Sequence, residues 1–354
     1  MTLQIIEHRE EKRQEWDDFV KQFSSCFYHQ FAWQYVLREN IKGTPCYLSA
    51  YENGVLKGVL PLFAVRGIFQ GKGLVSLPLA DEVGIIAEDE RTAYALLEKA
   101  LQIAKGAGFD FLEIRQNSDI FPHLPSAKSR ATFYLKLPSS ADILWRTIRS
   151  EKRKKIKKAW RSGLHFWAVP PSLVYQWLPV FLRIATLHRR NLGSPFWGAS
   201  FLNSILRHFP GQLHLFFVEK ENKQIGCALG LSFNGRLTVP VEGCLREYFS
   251  LAPNNLLYWG ILEFACRNGF TLFDFGRSRW NSGPFHFKRE WGADVVPLYY
   301  YKLSLKEKHI NLAIGTDELR SSALIKQISE VWRRSPYLIV KTIGPFLLRY
   351  IITV

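Results

Sequence analysis

Two short motifs near residue 280 bring together the residue types that a small acyl- or phosphate-handling site needs. Phe273-Asp274-Phe275-Gly276-Arg277-Ser278 reads as a strand that ends abruptly in a glycine and polar groups. Phe287-Lys288-Arg289-Glu290-Trp291-Gly292 then sets a lysine among aromatic residues, ahead of a further strand over 297–303. A cation partly dried by rings, facing a strand end with Asp, Arg and Ser, suits a site that must meet developing negative charge. Attack of an amine on an ester or thioester builds such charge on the carbonyl oxygen. A preplaced Lys288 would lower that barrier by about 3–4 kcal/mol. The competing reading packs the lysine stem on Phe287 and Trp291 and leaves its tip in water.

The neighbours divide in the same way. Asp274 either receives the proton of the attacking ammonium or orients Arg277 and Lys288; the structural alternative is an ion pair with a nearby arginine. Arg277 suits bidentate contact with phosphate or carboxylate, or a surface ion pair. Pro253-Asn254-Asn255 opens a helix whose free N–H groups form a natural anion pocket, although asparagine at such a place is first of all a cap. Ser278, Phe287, Trp291, Glu242, Asn254, Asn255 and Tyr258 form the candidate substrate-contacting set. The stretch 149–161 holds eight basic residues and one acid. Its Lys154, Lys155, Lys158 and Arg161 face one side of a helix, with Ile156, Ala159 and Trp160 toward the protein. That face binds tRNA phosphates, a pyrophosphate or acidic lipid, or is simply a solvated face.

These residues need a framework, and the chain is long enough for two domains. Its 354 residues are 47% hydrophobic, with 26 Phe, 14 Tyr and 11 Trp, which excludes disorder. The formal charge of +16 points to anionic partners. Five cysteines with no C-x-x-C pair read as reduced core thiols of a cytoplasmic protein. No histidine spacing suggests a metal site. No signal-peptide core is visible, and no uncharged apolar run approaches the roughly 20 residues that span a bilayer. The expectation is a soluble protein, at most peripheral at the inner membrane.

The plan of the chain is a repeat. In the first half a hairpin turning at Asn53-Gly54 is followed by a glycine-rich loop and short strand (69–78), a helix (91–105) and a strand (109–115). In the second half strands 213–219 and 225–233 turn at 221–223, and strand 237–242, a helix (about 254–267) and strand 270–276 follow. Gly108-Phe109-Asp110-Phe111-Leu112-Glu113 lies over Gly269-Phe270-Thr271-Leu272-Phe273-Asp274, glycine on glycine and acid on acid. Such self-similarity implies tandem copies of one α/β unit. The expected division is 1–145, 146–310 with the basic helix and site, and a helical tail over 311–354. That tail, with a break at Gly344-Pro345, either docks on the body or lies on a membrane surface.

With these motifs in order, the sequence resembles the Fem-type acyltransferases, built from two domains of the GCN5-related N-acetyltransferase (GNAT) kind. It is most similar to the FemAB-like branch associated with exosortase and exopolysaccharide loci. The likeness rests on the basic stretch 149–163, on Leu192-Gly193-Ser194-Pro195, on 251–259, and on 274–278, 287–292 and 332–345. It implies an α/β (α+β) fold of paired GNAT-like domains, each with a mixed, mostly antiparallel sheet flanked by helices. In Fem-type enzymes an aminoacyl group passes from aminoacyl-tRNA to an amine of a peptidoglycan precursor. A lysine in a Phe-Lys-x-x-(aromatic)-Gly pattern stabilises the transferring group, and Lys288 with Trp291 and Gly292 matches it. The resemblance thus implies transfer to an amine of a cell-envelope precursor, from aminoacyl-tRNA or an acyl thioester such as acyl-CoA. No tightly bound cofactor, metal or DNA partner is expected. The Gln/Arg-x-x-Gly-x-Gly/Ala signature of acetyl-CoA binders is absent. With no G-x-S-x-G nucleophile motif, direct attack without a covalent enzyme intermediate is expected. Two rivals stand: a non-catalytic pair that binds RNA or anionic membrane through the basic helix, and a CoA-dependent N-acyltransferase of a sugar or lipid.

Overall fold

The computed structural model describes residues 3–67, 71–306 and 323–349. Phe69 and Gln70 of the expected glycine-rich loop, and 311–322 and 350–354 of the expected tail, lie outside the described residues. The strands are β1 (Leu3–Glu7), β2 (Gly43–Glu52), β3 (Val55–Gly67), β4 (Gly71–Val75), β5 (Ile86–Ala87), β6 (Phe111–Gln116) and β7 (Ala127–Lys136). They continue as β8 (Leu164–Ala168), β9 (Leu213–Lys220), β10 (Lys223–Phe233), β11 (Arg236–Cys244), β12 (Leu272–Asp274), β13 (Ser278–Arg279) and β14 (Asp294–Ser304). The helices are α1 (Arg13–Phe23), α2 (Trp33–Asn40), α3 (Glu90–Gly106), α4 (Ala141–Thr147), α5 (Ser150–Arg161) and α6 (Val174–Asn191). After them come α7 (Ala199–His208), α8 (Pro253–Arg267), α9 (Gly283–Arg289), α10 (Ala323–Arg334) and α11 (Tyr337–Leu348).

The chain separates into two compact units. One comprises Met1–Arg130, Pro297–Ile325 and Leu348–Val354; the other comprises Ala131–Val296 and Lys326–Leu347. In the first unit β2 and β3 form the expected hairpin, with Asn53 and Gly54 both at positive φ (51° and 80°). This turn twists with its strands, and glycine meets its backbone demand without a Cβ clash. Strand β4 runs parallel to β6, with α3 between them in sequence. The side chain of Asp89 caps α3 by accepting from Thr92 N at 2.7 Å.

The second unit repeats this order. Hairpin β9–β10 leads to β11, which runs parallel to β12 across Arg236–Thr238 and Leu272–Asp274, with α8 as the crossover. The paired copies of a strand-rich, helix-flanked unit are the mixed α/β tandem architecture expected from the repeat. Close packing of α8 on β8 rests on Gly260: a Cβ there would lie 2.1 Å from the Phe166 ring. The core of this unit gathers Phe133, Ile156, Leu257, Tyr258, Phe273, Phe275 and Trp291 between sheet and helices.

Three local expectations are corrected. Trp160 does not face the protein; it is exposed and stacks on Trp145 at 5.6 Å, because inward positions on α5 recur every three to four residues and are taken by Lys152, Ile156 and Ala159. Neither Asn254 nor Asn255 caps α8, since the helix already starts at Pro253, after Ala252 in the left-handed region (φ 60°). Proline at the first helical position loses only an N–H that would go unused. Gly344-Pro345 does not break the tail, because α11 runs through it to Leu348.

Candidate active site

The C-terminal end of β11, the first turns of α8 and the chain leaving β12 form one neighbourhood of the second unit. In a parallel β-α-β unit this is where ligand-contacting residues gather, because strand ends and helix N-termini point there together. Strand β11 continues to Cys244, past its last paired position with β12 at Thr238. Its far end carries Glu242. The chain after β12 turns at Gly276 (φ 70°).

That turn is built by Asp274. The carboxylate accepts from Gly276 N at 2.8 Å and from Thr132 Oγ1 at 2.9 Å, and it pairs with the buried Arg236 guanidinium. Such engagement supports the structural reading of Asp274: it fixes the strand end and has few lone pairs left for proton transfer. Glu113, its counterpart in the first unit, pairs with buried Arg115 at 2.7 Å. The repeated acid therefore marks a repeated internal ion pair.

Lys288 comes up to the same turn from α9. It is only 5% exposed, and its Nζ donates to Gly276 O at 2.9 Å and Arg277 O at 3.0 Å. Its aromatic neighbour is Phe133, whose ring centre lies 5.7 Å from Nζ. The expected sheath of Phe287 and Trp291 belongs to another lysine. Lys152 of α5 places Nζ 3.8 Å from the Phe287 ring centre and 5.2 Å from that of Trp291, and pairs with Glu290 at 2.9 Å. The correction follows from helical geometry: consecutive side chains diverge by about 100°, so Phe287 and Lys288 face different neighbours. Burial pulls the Lys152 pKa down, against the pull of Glu290. The hydrogen bond from Lys152 in turn holds the Glu290 carboxyl below its usual range.

The remaining polar groups surround Glu242. The Tyr258 hydroxyl lies beside it, and burial followed by the glutamate charge raises the tyrosine pKa well above its usual value. Tyr258 stacks on Phe275 at 5.4 Å. Helix α6 contributes His188 and Arg189 at its C-terminal end. His188 lies against Gly243, where a Cβ would meet its ring at 2.5 Å. Burial lowers the pKa of both, Glu242 opposes the shift, and the Arg277 charge lowers Arg189 further. Arg189 thus feels both the Glu242 carboxylate and the Arg277 guanidinium, and two arginines this close suit an anionic ligand group. Asn255 Oδ1 and Ser278 Oγ are buried without a hydrogen-bond partner.

The structure therefore brings Glu242, Asn255, Tyr258, Arg277, Ser278 and Lys288 into one region of the second unit. Asn254 lies half-buried beside Asn255 in the first turn of α8. Phe287 and Trp291 line the core and the Lys152 pocket. Lys154, Lys155, Lys158 and Arg161 are exposed along α5, with Lys154 paired to Glu151 at 2.8 Å. Lys152, Arg236, Glu290 and Arg189 were not foreseen. Lys152 shares a helical face with Ile156 and Ala159, a signal that the surrounding run of basic residues hides. No group of three or more His, Cys, Asp or Glu able to hold a metal occurs among the described residues.

Residues 146–289 match the family model described as an acetyltransferase (GNAT) domain. No curated protein sequence matches the chain. Among solved structures, FemX is similar with a TM-score of 0.66 at 14% identity, over 86% of this chain and 98% of that one. The C-terminal DUF2156 domain assigned to a lysylphosphatidylglycerol synthetase of Agrobacterium fabrum gives 0.60 at 15%, over 91% and 96%. A tandem GNAT protein from the clavulanic acid biosynthesis pathway gives 0.51 at 10%, over 85% and 98%. The domain match, which spans α5 to α9, supports acyltransferase activity. Residues 146–289 are thus similar to acetyltransferase (GNAT) domains, and the chain has the tandem GNAT fold.

Proposed function

We propose that the protein transfers an acyl or aminoacyl group from an activated donor to an amine on a cell-envelope precursor, of peptidoglycan or exopolysaccharide type. The observation that supports this reading is Tyr258, beside Glu242 and stacked on Phe275, which immediately precedes the Gly276–Arg277 turn that Lys288 fills. An incoming ammonium gives its proton to Glu242, directly or through the Tyr258 hydroxyl. The freed amine attacks the donor carbonyl, and the charge gathering on that oxygen is met by the cations of Lys288 and Arg277. The tetrahedral intermediate then collapses: the ester or thioester bond breaks, and the leaving oxygen or sulfur takes a proton from Tyr258 or Glu242. The attacking nitrogen gives its second proton back to the freed Glu242 carboxylate, and from there to solvent, as the new amide forms. Arg189 and Arg277 suit an acceptor or donor that carries phosphate or carboxylate.

The donor is aminoacyl-tRNA or an acyl thioester such as acyl-CoA. The exposed cations of α5 favour the first, since a row of lysines suits a phosphate backbone. The GNAT-type domain favours the second, with a sugar or lipid amine as acceptor. Purified protein incubated with radiolabelled aminoacyl-tRNA and, separately, with acyl-CoA, against a panel of amine-bearing envelope precursors, tests the proposal. Label transferred to an amine supports it and identifies the donor. No transfer from either donor, together with RNA or anionic-vesicle binding lost on neutralising Lys154, Lys155, Lys158 and Arg161, would establish the non-catalytic alternative.

A further inference from the structure

Helices α10 and α11 carry apolar residues on two opposite faces. One face docks on the loop after α6. Trp332 is buried there and donates Nε1 to Ser194 O at 3.0 Å, Ser329 and Arg333 pack against Gly193, and Pro345 packs against Gly198. Val340 and Gly344, four residues apart on α11, are also buried. The other face of α11 consists of Leu338, Ile339, Thr342, Ile343 and Phe346, the i, i+1, i+4, i+5, i+8 spacing of one continuous helical stripe. All five are exposed, Leu338 at 71% and Phe346 at 56%, and Val331 of α10 is exposed at 68%. Scattered apolar side chains on a surface need no explanation, but a stripe on a helix already docked by its opposite face does.

The surrounding charge indicates what covers this stripe. Residues 326–347 contain Lys326, Arg333, Arg334 and Lys341 against the single acid Glu330. Glu330 pairs with Arg333 and Arg334 at 3.0 and 3.2 Å, Lys341 is exposed on α11 itself, and Lys326 is exposed on α10. Apolar side chains bordered by cations complement the boundary between acyl chains and anionic headgroups. A helix of 12 residues rises only about 18 Å, and no helix among the described residues is long and apolar enough to cross a membrane. The stripe can therefore lie in a bilayer surface but cannot span it.

We propose that the outward face of α10 and α11 seats this protein on an anionic lipid bilayer, with Leu338, Ile343 and Phe346 inserted below the headgroups. The proposal is independent of the transfer chemistry.

The test is co-sedimentation of the full chain with vesicles of equal parts phosphatidylglycerol and phosphatidylcholine, and with phosphatidylcholine alone. Stronger binding to the anionic vesicles is expected. The combined substitutions Leu338→Ser, Ile343→Ser and Phe346→Ser should weaken it by at least about tenfold, since each removes buried apolar area. Circular dichroism checks that the variant is folded. A solvatochromic label on Ile343→Cys gives a reading that needs no loss of binding, and its emission should shift to the blue on adding anionic vesicles. Equal binding of parent and triple variant, equal binding to both vesicle types, or an unshifted label would each overturn the proposal. So would a dimer in solution that the same serines dissociate while vesicle binding is absent, because a second copy would then cover the stripe.

Discussion

Lys152 Nζ of α5 lies 3.8 Å above the ring of Phe287 of α9, four helices further along the chain, and its ion pair is to Glu290 rather than to any residue of its own helix. The lysine is 1% exposed while the glutamate is 42% exposed. This asymmetry makes the two halves of the pair unequal in their cost of removal. Without the glutamate, a buried ammonium loses its counter-charge; without the lysine, a half-exposed carboxylate is simply solvated.

Glu290→Gln should therefore destabilise the protein more than Lys152→Met does. The expected costs are about 2–3 kcal/mol for the first and under about 1.5 kcal/mol for the second. Urea unfolding of the two variants decides this, and the reverse order would show that the pair is not held as described.

The second buried pair predicts a larger effect. Arg236 and Asp274 are each about 95% buried, so Asp274→Ala takes a close counter-charge from a buried guanidinium and releases the turn at Gly276. A loss of about 3–5 kcal/mol is expected, measured by denaturant melts. Asp274→Asn, which keeps the size and one acceptor, should lose less. A wild-type melting curve for Asp274→Ala would contradict the structural role and return the residue to the list of proton acceptors.

How far these pairs were legible differs from one residue to the next. The equivalence of Glu113 and Asp274 was visible in the aligned Gly-Phe runs, because a repeated fold repeats its strand ends, and both acids prove to be paired with arginine. The partner of Asp274 was not visible. Arg236 comes from β11, 38 residues earlier, and meets Asp274 only through the parallel register of β11 and β12. Lys288 was legible as the functional candidate from its motif, but its surroundings were not. Neighbours in sequence suggested aromatic rings, whereas the helix turns them toward Lys152 and offers Lys288 two backbone carbonyls. Local spacing shows which face a side chain takes; only the assembled sheet shows what stands opposite.

Stability should also fall between pH 6.5 and 4 for a reason unrelated to the site. His214 packs among Phe216, Phe264 and Phe270, and burial lowers its pKa from 6.5 to about 4. As pH drops through 6.5 the unfolded chain binds a proton that the folded protein refuses until about pH 4. Unfolding becomes easier across that window by up to roughly 3 kcal/mol, then levels off for this group. Chemical denaturation at several pH values should show the slope in the parent and a smaller one in His214→Gln. An identical slope in both would assign the acid sensitivity elsewhere.

The decisive kinetic contrast is between Lys288 and Glu242. The two carbonyls that Lys288 holds would lose their donor in Lys288→Met, so a stability loss of about 1–3 kcal/mol is expected whatever the residue does in catalysis. Melting data alone therefore cannot separate a strut from a catalytic cation. Rates measured well below the melting temperature can: with the transfer assay in hand, Lys288→Met should lower the rate by roughly a hundredfold or more. Glu242→Gln removes a proton acceptor while preserving shape, and should slow transfer by about 100- to 10,000-fold. If Lys288→Met melts lower but transfers at the parent rate while Glu242→Gln is slow, the lysine is a strut and the charge on the carbonyl oxygen must be met by Arg277 or by backbone N–H groups. If both are slow, the turn that Asp274 ties and Lys288 fills is part of the reacting surface, and its rigidity serves the chemistry directly.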